Sequence, residues 1–224
     1  GVPDDVQRVF AALALATMVV GNAMAVIQTN LKRMLGYSSV AHAGYLLIAF
    51  AVASGEARAA LLFYLVAYGL VNVGAFGVVA ALARHGREHD RIDDLAGLAH
   101  TRPGLAAVLT LFMLSLAGIP GTAGFWAKLY VFKAAVDEGW IALAIVGVLT
   151  SAVSLYYYLR PTVVMYMREP MAGDPGETDF MPSLTIATCA LAVLWLGLLP
   201  NADPFFGALR MLDVARTAVS ALAP

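Results

Sequence analysis

The stretch LeuAlaGlyIleProGlyThrAlaGlyPhe, residues 116–125, interrupts an apolar window that extends over residues 104–136. The window is longer than one straight crossing of a bilayer, for which about 20 apolar residues suffice. Pro120 removes a backbone donor and clashes with the preceding helical turn. Three neighbouring glycines make non-helical backbone cheap: Gly118, Gly121 and Gly124. The stretch therefore predicts a discontinuous membrane helix, and such breaks tend to line transport cavities because their polar groups need protein or water.

Lys128 follows the predicted break by about one helical turn. An ammonium at this depth costs on the order of 3 kcal/mol or more unless it is hydrated or paired. Burial disfavours the charged form and hydration favours it, so the proton on this lysine can respond to its surroundings, as a proton relay requires. The alternative is a lysine that extends along its helix to the interface or pairs structurally with a carboxylate. For Lys133, closer to the end of the window, that alternative is the preferred interpretation.

The composition is typical of a membrane protein. Apolar residues make up 61% of the chain, charged residues 13%, and the mean hydropathy is +0.78, outside the usual range of soluble domains. Since a helical crossing takes roughly 20 residues plus a loop, the length suits about six crossings, one of them broken. The long apolar windows are residues 6–28, 34–53, 59–82, 104–136, 140–165 and 183–199. We predict an all-α membrane domain over residues 1–199 and a C-terminal interfacial amphipathic segment over residues 200–224.

Cationic residues are unevenly divided between the two ends of these windows. One end has eight: Lys32, Arg33, Arg84, Arg87, Arg91, Arg102, Arg160 and Arg168. The other has five: Arg8, Arg58, Lys133, Arg210 and Arg216. Because cationic loops are retained in the cytoplasm, we predict a multi-pass protein of the cell inner membrane with both ends of the chain outside the cytoplasm. The chain lacks an initiator Met and a basic signal region, so we expect a longer parent protein.

Several uncharged polar residues are candidates to accompany Lys128 in a proton relay. His42 lies near the middle of the second window, where an imidazole can exchange protons or simply bond to a neighbouring helix. Tyr64, Tyr68 and Asn72 recur every four residues and so share one helical face. They are suited to ordering water, but polar contact between helices is equally compatible with that spacing, and for Asn72 it is preferred.

Further polar residues flank the break or lie near a window end. Ser115, Thr122 and Tyr130 surround the break and are also candidates for the relay. Tyr156, Tyr157 and Tyr158 stand beside Arg160 and are typical of an aromatic belt at the membrane interface.

The sequence offers no redox or metal chemistry that we can identify. It has no phosphate-binding loop, no paired haem histidines and no cysteine set for an iron–sulfur cluster. His85, His89 and His100 share a charged loop and are best interpreted as solvated, and Cys189 as a small buried apolar residue. With a net charge of −1, no nucleic-acid partner is expected either. We predict no bound cofactor and no metal.

Three segments resemble a known family. ThrAsnLeuLysArgMetLeuGlyTyrSerSerValAlaHisAlaGlyTyrLeuLeu, residues 29–47, is similar to a stretch of the subunit N family of proton-pumping NADH:quinone oxidoreductase, respiratory complex I. LeuSerLeuAlaGlyIleProGlyThrAlaGlyPheTrpAlaLysLeuTyrValPhe, residues 114–132, resembles its twelfth helix, and SerLeuTyrTyrTyrLeuArg, residues 154–160, its thirteenth. The three segments occur in the family's order, and the resemblance extends over nearly the whole chain.

The resemblance implies an antiporter-like subunit of fourteen helices, built from two inverted repeats with a broken helix in each, of which this chain resembles helices nine to fourteen. Lys128 matches the twelfth-helix lysine at the outer end of a hydrated lysine and glutamate axis. The implied partners are the other membrane subunits of complex I, including neighbouring antiporter-like subunits, together with lipid, protons and internal water. The implied cofactors, NADH, FMN, iron–sulfur clusters and quinone, would belong to the parent complex.

Two departures from the family pattern limit what this chain does alone. The family's glutamate on helix five and its lysines on helices seven and eight have no counterpart here. Where related subunits carry two histidines and a lysine on the eleventh helix, this sequence has Tyr64, Tyr68 and Asn72. We therefore expect a water-ordering role for that helix.

Three functions remain open from the sequence. The first is a non-redox subunit of a proton-translocating NADH:quinone oxidoreductase, in which quinone reduction elsewhere drives proton transfer through Lys128. The second is a subunit of a related multi-subunit cation/proton antiporter. The third is a scaffold in which the lysine is inert.

Overall fold

The computed structural model describes residues 2–83, 90–170, 180–198 and 216–221, and of residues 180–183 it describes the backbone only. The described chain is helical. Its helices are α1 (Asp4–Val26), α2 (Leu31–Val52), α3 (Gly55–Leu82), α4 (Leu98–Thr101), α5 (Pro103–Ala117), α6 (Ala123–Asp137), α7 (Ile141–Met167) and α8 (Phe180–Leu198), with a 3-10 turn at Ile92–Leu95. Within the described residues, α1, α2, α3 and α7 are long and apolar enough to cross a membrane. The prediction of an all-α membrane protein is confirmed.

Helix ends differ from the apolar windows by a few residues because capping groups, rather than hydropathy, set them. The Asn30 side chain accepts a hydrogen bond from the Arg33 amide at 2.9 Å and starts α2. The Ser54 hydroxyl accepts one from the Ala57 amide at 3.2 Å and starts α3. These two helices therefore begin three and four residues before their windows.

The predicted discontinuous helix consists of α5 and α6, which are separated by residues 118–122. The amide of Ile119 donates to the Leu114 carbonyl, and that of Gly118 to the Ser115 carbonyl, both at 3.0 Å. This pair of bonds is a Schellman motif, which requires a left-handed residue after the helix; Gly118 provides it with φ 87°. Six residues later, α6 approaches α5 so closely that a Cβ on Gly124 would lie 1.9 Å from the Ser115 carbonyl oxygen.

Residues 90–102 form a strap across one end of the helices. The Leu31 amide donates to Asp90 O at 2.6 Å, and the Ile92 amide to Thr29 O at 2.9 Å. Arg168 pairs with Asp93 at 2.7 Å. The strap contains the 3-10 turn and the short helix α4. The strap joins the α1–α2 turn to the end of α7, so the described cationic residues assigned to this end lie together, while Arg84 and Arg87 lie outside the described residues.

The opposite end includes the start of α3. Glu56, in the first turn of α3, pairs with Arg216 at 2.7 Å. Residues 216–221 are helical, but the remainder of the predicted amphipathic segment, residues 200–215 and 222–224, lies outside the described residues. The core lies between the two ends, where α2, α3, α6 and α7 enclose Tyr45, Tyr64, Tyr157 and Tyr158, each at most 1% exposed.

Candidate functional site

Lys128 is buried on α6 and directed at the break. Only 5% of its surface is exposed. Its Nζ donates to Leu116 O at 2.8 Å, to Ala117 O at 3.1 Å and to Ser151 Oγ on α7 at 2.8 Å. An ammonium has three donors and no acceptor, so all three N–H groups have a fixed protein partner. The side chain does not extend along α6 toward the interface, which excludes one of the structural alternatives.

The break itself supplies the partners of this ammonium. Leu116 and Ala117 end α5, and the last carbonyls of a helix have no partner within it. The Schellman motif uses the carbonyls of Leu114 and Ser115 and leaves those of Leu116 and Ala117 to other donors. The C-terminal end of a helix also carries partial negative charge, which favours a cation there. Lys128 therefore caps α5 from α6.

The charge of Lys128 has no ionic partner within the described part of the chain. No described carboxylate lies within ion-pair distance of its Nζ. The remaining neighbour is the Tyr45 ring, whose centroid lies 5.4 Å from Nζ, within cation–π range. Dipoles and one aromatic face thus surround the ammonium, which excludes the second structural alternative, a carboxylate pair, for these residues.

Two of the three predicted companions at the break have a role in holding it together. Ser115 Oγ accepts a hydrogen bond from the Gly124 amide at 3.1 Å, so a side chain of α5 caps the first turn of α6. Thr122 Oγ1 donates to Ile119 O at 2.7 Å inside the connecting turn. Tyr130 does not join them: its ring packs against Phe63 with centroids 5.5 Å apart, and its buried hydroxyl has no hydrogen-bond partner among the described residues.

His42 is the centre of a second polar cluster. It is 4% exposed, and both ring nitrogens have partners. Nδ1 lies 2.7 Å from the Tyr64 hydroxyl on α3, and Nε2 lies 3.1 Å from the Tyr158 hydroxyl on α7. A neutral imidazole has one donor and one acceptor, so one tyrosine donates to His42 and the other accepts from it. His42 thereby links three helices.

The expected polar face of α3 is only partly realised. Tyr68 stacks on His42 with ring centroids 4.6 Å apart, and its hydroxyl donates to Ser39 Oγ at 2.7 Å. Asn72 is half-buried and makes no hydrogen bond with a described residue. The structure thus brings Tyr64 and Tyr68 to His42 but leaves Asn72 aside.

A small cavity separates the two clusters. Its volume is about 10 Å³, close to the minimum that one water needs. His42, Tyr64 and Ala67 line one side, and Ser115, Leu116 and Gly124 line the other. The cavity is therefore bounded by both the imidazole cluster and the helix break.

The aromatic belt predicted on α7 is wrong for two of its three tyrosines. Tyr156 is 64% exposed, but Tyr157 and Tyr158 are 1% and 0% exposed. The Tyr157 hydroxyl donates to Asn22 Oδ1 on α1 at 2.9 Å. The belt was inferred from the adjacent Arg160, but α7 continues past that arginine to Met167. These tyrosines therefore lie well inside the helix.

The sequence analysis also missed Asn22, Tyr45 and Ser151. Asn22 Nδ2 lies 3.4 Å from the Tyr45 hydroxyl, and this hydroxyl lies 3.3 Å from Thr150 Oγ1. For Ser151, a signal was available in the sequence of α7. Ser151, Ser154 and Tyr158 recur at intervals of three and four residues and therefore share one helical face. A polar row runs along the inner face of α7.

Comparison with known proteins identifies relatives of this architecture. Residues 2–154 match the family model described as NADH:quinone oxidoreductase/Mrp antiporter, transmembrane. The chain is 46% identical over 212 residues to NADH-quinone oxidoreductase subunit N of Bdellovibrio bacteriovorus, covering 92% of this chain and 43% of that protein.

Solved structures with the same fold include a chain of respiratory complex I from Thermus thermophilus with bound aureothin, with a TM-score of 0.72 and 35% sequence identity. The match covers 87% of this chain and 44% of that one. A chain of the Mrp complex from Dietzia sp. is also similar, with a TM-score of 0.84 and 25% sequence identity. That match covers 98% of this chain and 48% of the other. The chain spans less than half the length of the relatives it matches.

Proposed function

Because the chain belongs to the NADH:quinone oxidoreductase/Mrp antiporter membrane family, we propose that it forms the outer proton-conducting half of a subunit N in complex I, with Lys128 as the proton carrier. One observation carries the proposal. Lys128 Nζ is buried at a helix break, satisfied by three oxygens and unpaired with any described carboxylate. An inert structural lysine would gain little from that arrangement, because burying a charge without an opposite charge is costly.

The geometry links the proton on Lys128 to the shape of the break. The protonated amine donates to both terminal carbonyls of α5 and to Ser151 Oγ. A neutral amine keeps two N–H donors for the carbonyls and has a lone pair, which can accept from the Ser151 hydroxyl. Release of the proton therefore requires this hydroxyl to turn and replaces charge-assisted hydrogen bonds at the break with weaker neutral ones. A charge brought near from the other half of the subunit would shift this balance, because attraction acts strongly in a low-dielectric interior.

We further propose that His42 exchanges protons with Lys128 when the cavity between the imidazole cluster and the break is hydrated. With tyrosines at both nitrogens, the imidazole can take a proton on one side and give one up on the other. The cavity holds about one water at most, so the connection depends on its transient filling or widening. Such dependence suits a pump, because a permanently hydrated path would let protons leak back.

The remaining features follow from the same proposal. The four long helices, α8 and the α5–α6 pair make six crossings of the cell inner membrane, with the strap of residues 90–102 on the cytoplasmic side and both chain ends outside. NADH, FMN, iron–sulfur clusters and quinone belong to other subunits, and no electron passes through this chain. Its partners are the neighbouring membrane subunits, including antiporter-like ones, and lipid.

A second candidate function is a subunit of a cation/proton antiporter. The observation that favours it is the high structural similarity to a chain of the Mrp complex, with a TM-score of 0.84. The higher sequence identity to subunit N proteins favours complex I.

The proposal is tested by Lys128→Ala in the whole complex, with NADH-driven acidification and NADH:quinone activity measured in the same inverted membrane vesicles. The matched control is Lys133→Ala on the same helix, whose side chain is exposed and paired with Asp137. We expect acidification per NADH oxidised to fall in Lys128→Ala and to stay unchanged in Lys133→Ala. Normal acidification by an assembled Lys128→Ala complex would contradict the proposal.

A further inference from the structure

We propose that the oxygens around Lys128 Nζ form a binding site for a free monovalent cation of ammonium or potassium size, which the lysine's own ammonium fills as a tethered cation. Leu116 O, Ala117 O and Ser151 Oγ are the ligands. The inference rests on the proposed function in placing this site on the proton route. It goes further in naming the ion class that the site would otherwise accept.

The first argument is the arrangement of the ligands. Three oxygens from two helices converge on one point at 2.8, 3.1 and 2.8 Å. The Tyr45 ring faces the same point at 5.4 Å, as aromatic rings do around bound ammonium ions. Carbonyl oxygens of this kind replace the hydration shell of an ion in cation-selective filters. The smaller Na⁺ would require all three oxygens to move inward.

The second argument is the charge of the site. Its negative character comes from the C-terminal end of α5 and from neutral oxygens, because no described carboxylate pairs with Lys128. Divalent cations such as Ca²⁺ and Mg²⁺ are bound with carboxylates. Unwound backbone at half-helix ends is, in contrast, where transporters coordinate monovalent cations. The site therefore suits a single positive charge.

The third argument concerns selectivity. A tethered ammonium occupies the site at high effective concentration, so a free metal ion cannot displace it. Unlike a metal ion, the ammonium can release a proton and remain in place as an amine. Lys128 thus makes the site specific for protons by excluding the cations that its oxygens would otherwise bind.

The test uses purified whole complex and the potassium analogue ⁸⁶Rb⁺ as the probe. Saturable ⁸⁶Rb⁺ binding is compared between the wild type, Lys128→Ala and the double variant Lys128→Ala/Ser151→Ala. We expect a new binding site in Lys128→Ala that is absent from the wild type. In the double variant, binding should be weaker by about tenfold, because one ligand to a charged group is lost. Lys128→Ser provides a second truncation if the alanine variant does not assemble.

Two results would overturn the inference: assembled truncation variants that bind no more ⁸⁶Rb⁺ than the wild type, or a double variant that binds it as tightly as Lys128→Ala. Acidification measured on the same preparations separates this inference from the proposed function. Loss of acidification without ⁸⁶Rb⁺ binding contradicts only the cation site. Retained acidification contradicts the proposed function.

Discussion

Lys128 Nζ lies 2.8 Å from the carbonyl oxygen of Leu116, so a charged side chain of one half-helix caps the end of the other. The two residues are twelve positions apart in sequence and are brought together by the reversal of backbone conformation at Gly118. A change in the charge of Lys128 therefore alters the hydrogen bonds at the break itself. This relationship gives Lys128 a structural role as a cap, and mutation can separate that role from the proton-carrying role proposed for it.

The hydrogen bond across the break predicts that Ser115→Ala impairs pumping. The variant leaves the Gly124 amide without its cap, at a cost of about 1 kcal/mol in stability. We expect NADH-driven acidification to fall while NADH:quinone activity is retained, because one of the hydrogen bonds that join α5 to α6 beside Lys128 is lost. The two activities are measured in the same vesicles.

Ser54→Ala is the matched control for this prediction. It also removes a serine cap, but at the start of α3, away from the break. Equal losses of acidification in the two variants would show that general destabilisation, rather than the state of the break, limits pumping.

The cluster around His42 predicts a specific effect of Tyr158→Phe. The substitution removes only the hydroxyl that lies 3.1 Å from His42 Nε2. If the imidazole exchanges protons, acidification per NADH oxidised should fall, because proton transfer through His42 should slow by about 10²-fold, the lower end of general acid–base effects.

Tyr156→Phe, in which the altered ring is 64% exposed on the same helix, should be silent. A Tyr158→Phe complex that pumps as the wild type does would leave His42 with a packing role only.

The cavity between the two clusters predicts that a larger side chain at Ala67 blocks proton transfer. Ala67 is fully buried on α3 and lines the cavity. Ala67→Leu fills the space that about one water would use, and overpacking should cost about 1–3 kcal/mol in stability. Acidification is the readout, and assembly is checked on native gels.

The corresponding control is Val73→Leu on the same helix, because Val73 is 55% exposed and does not line the cavity. Should Ala67→Leu assemble and pump at the normal rate, the cavity would not be on the proton route.

The break and its lysine were predictable from sequence because their signals are local. One proline and three glycines lie within residues 116–125, and Lys128 is a charge in an apolar window. The partners of His42 were not predictable in the same way, since Tyr158 lies 116 positions away and is selected by helix packing.

Tyr157 and Tyr158 were misplaced for a related reason. An arginine beside tyrosines is typical of a helix end, yet Arg160 donates to Gln28 O at 3.0 Å and α7 continues through Pro161. Only the packed structure shows that this arginine binds the turn between α1 and α2. No described carboxylate pairs with Lys128, and the chain spans less than half the length of the relatives it matches.

The central claim is that Lys128 must release a proton, beyond capping the break, and Lys128→Arg tests it most directly. Arginine retains the positive charge and the N–H donors for Leu116 O and Ala117 O but is not deprotonated in proteins. The measurement is the number of protons pumped per electron by the purified complex in proteoliposomes. We predict that Lys128→Arg assembles, oxidises NADH and pumps fewer protons per electron than the wild type. An unchanged ratio would contradict the account and leave Lys128 as a structural cap.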